Sequence, residues 1–331
     1  MNATETMAEF EMPAIDPKQQ PDPAAFAFDL ETALKSVVAL QSKVPESAYT
    51  ASVLGTERAG HGVVISEKGL ILTIGYLVVE AETIWLVDHT GAAVPGHVAG
   101  YDHETGFGLV QALGQTAAPA LPIGSTRRVS VGDDVVVAGH GGRAGAIATR
   151  LEEKREFAGY WEYLLEEALF TSPAHPFWGG AALIGPDGTL CGIGSLYVQS
   201  NPESGQTYDG NMIVPIDLLE PILDDLRRFG KPQKAAQPWI GALTAESDGR
   251  IVVVGLWDDG PADDAGLQPG DLIVGVDKHP VGTLPELFRA MWGLGDAGTR
   301  VPLNVLRAGQ LAEVVIHSGN RADFYQTPQL H

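Results

Sequence analysis

Between residues 171 and 195 the chain reads Thr-Ser-Pro-Ala-His-Pro-Phe-Trp-Gly-Gly-Ala-Ala-Leu, then Ile-Gly-Pro-Asp-Gly-Thr-Leu-Cys-Gly-Ile-Gly-Ser. It holds a hydroxyl (Ser172), an imidazole (His175) and the chain's one thiol (Cys191), the groups that nucleophilic acyl transfer uses. That chemistry needs an activated oxygen or sulfur, a base touching it, and a group that orients the base. Ser172, beside Pro173, reads as a loop residue, and Cys191, between Leu190 and Gly192, as a core thiol. Directly before the Gly179-Gly180 pair stands Trp178, whose indole offers an N–H donor and no nucleophilic oxygen. His61 reads as a structural histidine at a strand edge. His89, His97, His103, His140 and His175 show no paired spacing of the kind zinc sites use, so no metal and no cofactor is expected.

The elements around this stretch are mostly strands. Apolar alternation on both sides of Pro186-Asp187-Gly188 predicts a β-hairpin after a tight Gly-Gly bend. With 40 Gly and 22 Pro among 331 residues, and short apolar runs between turns, the chain reads as mostly β and long enough for two or three domains. Residues 1–28 are acidic, carry four prolines and predict a disordered arm. Asp29 is a candidate N-cap, and Leu30, Leu34, Val37, Val38 and Leu40 predict a helix within 29–45, ended by Pro45. Strands are then expected from residue 49, with a Glu67-Lys68-Gly69 hairpin turn, further strands at 83–87, 93–101 and 108–113, and more up to 216. A Glu-rich, aromatic insertion at 151–170 carries Tyr160, Trp161 and Tyr163. Residues 210–230 predict a strand and a helix with Leu218, Leu219, Ile222, Leu223 and Leu226 on one face and Gly230 as its stop. Residues 231–238 read as a linker.

Charge and composition narrow the partners. A formal charge of −21 argues against nucleic acid and against an anionic membrane surface, since both call for basic patches. No apolar run approaches the length of a spanning helix. A single cysteine excludes an internal disulfide framework. The first ten residues show neither a basic n-region nor an apolar h-region, and a cytoplasmic location is expected.

Three stretches resemble HtrA-type trypsin-like serine proteases. Residues 171–195 resemble the family's nucleophile loop, where a serine precedes Gly-Gly; here that place is Trp178. The run Ile71-Leu-Thr-Ile-Gly-Tyr76 resembles the strand after which the family has its catalytic histidine; here that place is Tyr76. Asp102-His-Glu-Thr-Gly106-Phe resembles the pattern around the catalytic aspartate and puts Gly106 there. The oxyanion-hole donor two residues before the nucleophile falls on Pro176, which has no N–H. Beyond the linker, Trp239-Ile-Gly-Ala242 and the run Gly260-Pro-Ala-Asp-Asp-Ala-Gly-Leu-Gln-Pro-Gly-Asp-Leu-Ile273 closely resemble a PDZ domain.

The resemblance implies a trypsin-like double β-barrel over 46–230 followed by a PDZ domain at 239–320 and a tail at 321–331. With Tyr76, Gly106 and Trp178 at the triad positions, it implies a pseudoprotease that binds peptides or regulates another enzyme. The alternative is an active serine-type endopeptidase using a non-standard constellation. Expected peptide-binding residues are Trp239, Ile240, Gly241, Ala242, Leu287 and Met291, with protein or peptide C-termini as partners. Family habit implies a homo-oligomer, a trimer, in which Phe26 and Phe28 could contact a neighbouring subunit.

Overall fold

The computed structural model describes residues 15–200 and 207–326. Residues 1–14 of the expected arm and 327–331 of the expected tail lie outside them. The described part of the arm is ordered. Ile15 is buried, Asp22 caps a 3₁₀ turn at Pro23–Ala25, and Gln19 O accepts from the Ala148 N–H at 2.8 Å. A Cβ on Gly188 would lie 2.5 Å from the Phe28 ring, so Phe28 packs within its own chain.

The N-terminal helix is shorter than its spacing suggests. Helix α1 covers only Leu30–Leu34, with Asp29 accepting from Thr32 N–H and Oγ1. Val37–Lys43 is instead strand β1. Val37, Val38, Ala39 and Leu40 are all buried, and a run buried on both faces carries no period to separate strand from helix. The β-branched pair and barrel closure decide for strand. Likewise, the last four residues of the 49–54 segment fold as a short helix, α2 (Ala51–Leu54).

Strand β1 closes a barrel with β2 (Glu57–Ser66), β3 (Leu70–Ile74), β4 (Thr83–Val87), β5 (Ala93–Tyr101) and β6 (Phe107–Ala112), in the order β1-β2-β3-β6-β5-β4. A second closed barrel contains β7 (Asp134–Ala138), β8 (Ala146–Gly159), β9 (Tyr163–Ser172), β10 (Ala182–Ile184), β11 (Leu190–Ser200) and β12 (Tyr208–Pro215). The β10–β11 hairpin turns at Gly188, whose φ of +77° lies in the left-handed region that glycine adopts without strain. The helix expected after β12 is interrupted. Ile216–Leu218 is a 3₁₀ turn and α3 covers only Leu223–Phe229, because Pro221 cannot donate within a continuous helix. Gly230, left-handed at φ +74°, ends α3.

The C-terminal sheet runs β13 (Ala242–Ser247), β14 (Arg250–Leu256), β15 (Leu272–Val276), β17 (Arg300–Arg307), β18 (Gln310–His317), with β16 (His279–Pro280) paired to β15. Helix α4 (Pro261–Asp264) precedes β15, and α5 (Leu284–Trp292) starts at a Thr283–Glu286 capping box. Ile240, Ile251, Ile273, Leu287, Phe288, Met291, Val301 and Leu303 form one buried core. Asp271, at the end of the glycine-rich run, is buried and accepts from Gln268 N–H and from Arg307 Nε and Nη2. The segment after β18 is not a loose tail: Arg321–Phe324 forms a 3₁₀ turn, and the Phe324 ring lies 4.8 Å from that of Trp239.

The chain divides into two compact units. One contains the two barrels; the other joins residues 233–326 with 156–166, the tip of the β8–β9 hairpin. The sequence marked that hairpin as an insertion and did not reveal which unit it belongs to.

Candidate functional site

The three positions at which a triad is expected meet in the first unit. Tyr76 lies on the 3₁₀ turn Gly75–Leu77, which follows β3 directly. Gly75 N–H donates to Gly106 O at 2.7 Å, bringing the second position alongside. A Cβ on Gly179 would be 2.8 Å from the Tyr76 hydroxyl, which places the tyrosine against the Gly-Gly bend after Trp178. The Tyr76 hydroxyl donates to Ser195 O at 2.9 Å, and burial pushes its acidity further from neutral. A phenol so held is a hydrogen-bond donor and a poor base. Gly106 sits at φ +81° in the 102–106 turn, where an L side chain would be strained. The Trp178 ring packs 5.7 Å from Tyr197.

Buried contacts fix this turn. Arg58 Nη1 donates to the carbonyls of Tyr76 and Val79, Nη2 to Thr50 Oγ1, and Nε to Gly55 O. Glu80, buried at φ +61°, accepts from Tyr49 N–H, Thr50 N–H and Thr50 Oγ1. The sequence reading missed both residues; Arg58 stands beside Glu57 and Glu80 two before Glu82, so neither stands out from its charged neighbours.

The candidate substitute groups each have hydrogen-bond partners of their own. His175 Nδ1 accepts from Phe177 N–H at 3.0 Å, and its Nε2 meets Gly145 O at 2.9 Å. Both ring nitrogens are therefore engaged by backbone, and burial lowers the group's basicity. Ser172 Oγ donates to Asp209 O at 3.0 Å. His61 is fully buried, accepts from His140 N–H at Nδ1, and is held down at about 3 by burial and then by the neighbouring His175 and His140. Cys191 is buried and its thiol is pushed up to about 11, mainly by burial. Near the bend, Phe177 N–H is spent on His175, and Pro176 contributes no donor.

The second unit carries a different kind of site. Ile240, Gly241 and Ala242 present successive backbone N–H groups, and Gly241 at φ +76° gives the bend that lets them converge. A Cβ there would lie 3.2 Å from the Trp239 ring. The buried Trp239 thus supports the loop, with its backbone paired to Gly319. Leu287 and Met291 of α5 lie in the same core as Ile240, so the structure brings the expected peptide-binding residues together.

The three N–H groups converge on one carboxylate within the chain. Ile240 N–H donates to Glu162 Oε2 at 3.0 Å; Gly241 and Ala242 N–H donate to Oε1 at 2.7 and 3.0 Å. Two residues earlier, Tyr160 O accepts from Thr244 N–H of β13 at 2.8 Å. Glu162 was not among the expected site residues. The Glu-rich aromatic insertion was the only signal pointing toward it.

Comparison with known proteins agrees with this architecture. Residues 60–193 match the trypsin-like peptidase domain and residues 238–317 the PDZ domain. A probable periplasmic serine endoprotease, DegP-like, from Chlamydia pneumoniae is 26% identical over 272 residues, 78% of this chain and 54% of that protein. Serine endoprotease DegS of Escherichia coli (strain K12) is 27% identical over 264 residues, 75% of this chain and 73% of that one. The chain thus spans about half the length of the DegP-like relatives it matches. Among solved structures, the HtrA-type protease AlgW with a decapeptide superposes with a TM-score of 0.51 at 20% identity, covering 88% of this chain and 97% of that one.

The relatives' names correct one expectation. Those named periplasmic endoproteases point to a periplasmic or extracellular location, not the cytoplasm. The cytoplasmic reading had rested on the lone cysteine, the lack of a spanning apolar run and the first ten residues together; a buried thiol with no second cysteine is compatible with either redox compartment. Among the described residues, no helix is long and apolar enough to cross a membrane. The protein is built of a trypsin-like domain followed by a PDZ domain.

Proposed function

We propose that the protein binds the carboxy-terminal ends of proteins or peptides through its PDZ nest, and that its protease-like cleft does not hydrolyse them. The observation that carries the first half is the convergence of the Ile240, Gly241 and Ala242 N–H groups on a carboxylate. A free peptide terminus offers the same group. It would add its strand beside β13, gaining backbone hydrogen bonds, and place its last side chain against Ile240, Leu287 and Met291. Support for the second half is the chemistry at Tyr76, Gly106 and Trp178, where base, orienting acid and nucleophile are each replaced. In a measured serine protease, losing the serine or histidine alone costs about 10⁶ in turnover.

A second reading has its own support. The relatives are named serine endoproteases, and those names favour an active endopeptidase working through a non-standard constellation. Ser172 is its obvious nucleophile, and it lacks a basic nitrogen at His175. Assembly as a homotrimer belongs to either reading, and light scattering at tens of micromolar tests it: a strictly monomeric mass rules assembly out.

Isothermal titration of the full chain tests the binding reading. Peptides ending in an apolar residue with a free carboxylate should bind, and their amidated forms should bind roughly ten- to hundredfold more weakly, because a charge-assisted acceptor is gone. Equal affinity for both ends contradicts this mode.

A further inference from the structure

We propose that the tip of the β8–β9 hairpin is an intramolecular ligand of the PDZ groove, with the Glu162 side chain standing in for a peptide's terminal carboxylate. An external carboxy terminus must therefore displace it. That last clause rests on the peptide-binding reading above; occupancy of the nest by Glu162 does not.

The hairpin turn supplies a carboxylate to the nest and a carbonyl to the neighbouring strand. The Glu162 carboxylate takes all three N–H groups of the nest, and the carbonyl two residues earlier, on Tyr160, takes the Thr244 N–H of β13. Both contacts come from the hairpin turn at residues 160–162, one through a backbone carbonyl and one through a side chain. Apolar contacts follow the same path, with Ala158 and Leu164 packing against the PDZ core.

The tip is held in a conformation that a glutamate does not adopt for its own sake. Glu162 has φ +59°, in the left-handed region, which costs roughly 1–2 kcal/mol for an ordinary side chain. Its surroundings over-determine it. Arg289 of α5 bridges Glu156 and Glu166 on the two arms, Arg321 Nη1 donates to Trp161 O, and the Trp161 ring stacks 5.4 Å from Tyr163. Strain maintained in this way marks a position whose side chain must reach a set place.

The nest cannot serve two carboxylates. A peptide terminus would need the same three N–H groups. A tethered competitor enjoys an effective concentration on the order of millimolar, so a peptide of micromolar intrinsic affinity is strongly opposed. The occupant it must outcompete is also burdened by its own left-handed backbone. This combination makes the groove closed at rest and able to open for a good ligand.

Two arms of one experiment on the full chain decide the matter. Amide hydrogen exchange at Ile240, Gly241 and Ala242, with no peptide added, should be slow in the wild type. It should be at least about tenfold faster in Glu162→Ala, and intermediate in Glu162→Gln, which keeps one acceptor oxygen. In parallel, an acid-ended apolar peptide should bind Glu162→Ala at least about tenfold more tightly than wild type. Equal exchange in wild type and Glu162→Ala overturns the proposal, as does equal peptide affinity. If no peptide binds any variant, the peptide reading fails and exchange alone decides occupancy. An unchanged barrel melting transition excludes misfolding as the cause of faster exchange.

Discussion

Raising the pH should loosen the hairpin tip from the PDZ groove. Burial pushes the Glu162 carboxyl from its usual 4.5 up to about 7, although the N–H groups of Ile240, Ala242 and Gly241 and the charge of Arg321 pull the other way. Released into solvent, the same group titrates near its usual value. The docked state therefore holds a proton more firmly than the free one. Docking is strongest below the free value, weakens as pH climbs through the docked one, and is flat beyond it. Between about pH 5.5 and about pH 8 this amounts to about 2 kcal/mol, or roughly thirtyfold in the docking equilibrium. An external peptide's terminal carboxylate, with a free pKa of about 3.5, is ionised in solution throughout this range, and any slope that its own burial in the nest adds is read separately in Glu162→Ala. The assay is titration of the full chain with one acid-ended peptide across this range. From about pH 5.5 to about pH 8 the apparent affinity of the wild type should gain up to roughly thirtyfold relative to that of Glu162→Ala. The same slope in both proteins refutes the reasoning.

Four substitutions test the remaining parts of the account. Tyr76→Phe removes the donor to Ser195 O and should cost the barrels about 1 kcal/mol, seen as a melting shift of a few degrees; an unchanged Tm counts against that hydrogen bond. Gly241→Val forces a side chain onto a left-handed backbone against Trp239 and should abolish peptide binding; retained affinity contradicts the nest. His61 sits at about 3 against an ordinary 6.5, so the stability its neutral form contributes is present above 6.5 and lost as pH falls toward 3. His61→Gln should accordingly move acid unfolding of the barrels to lower pH, and an unmoved midpoint disproves it. Trp178→Ser restores a hydroxyl without a base and should remain unreactive toward a fluorophosphonate; labelling would show that a base is available.

Much of the fold was legible because barrels and PDZ domains announce themselves locally. Turn glycines such as Gly69 and Gly188, alternating strands, and the 260–273 run each constrain their own neighbourhood. The matching of Tyr76, Gly106 and Trp178 to triad positions rests on the run before Tyr76, the strand after Gly106 and the Gly-Gly pair after Trp178. The helix expected through Lys43 failed where Val37-Val38-Ala39-Leu40, buried on both faces, carries no period. Glu162 was hidden for a different reason. Its partners lie about eighty residues away, and an acidic residue in an acidic insertion looks like a solvated surface until the tertiary structure turns it toward three amides.

The claim that most needs a direct measurement is that the cleft performs no acyl transfer. Unfolded casein should be incubated with extensively purified full-length protein, alone and with saturating acid-ended peptide to open the PDZ groove. The account predicts cleavage no faster than background in both conditions. Peptide-stimulated cleavage that co-purifies with the protein and disappears in Ser172→Ala would contradict it and establish the endopeptidase reading.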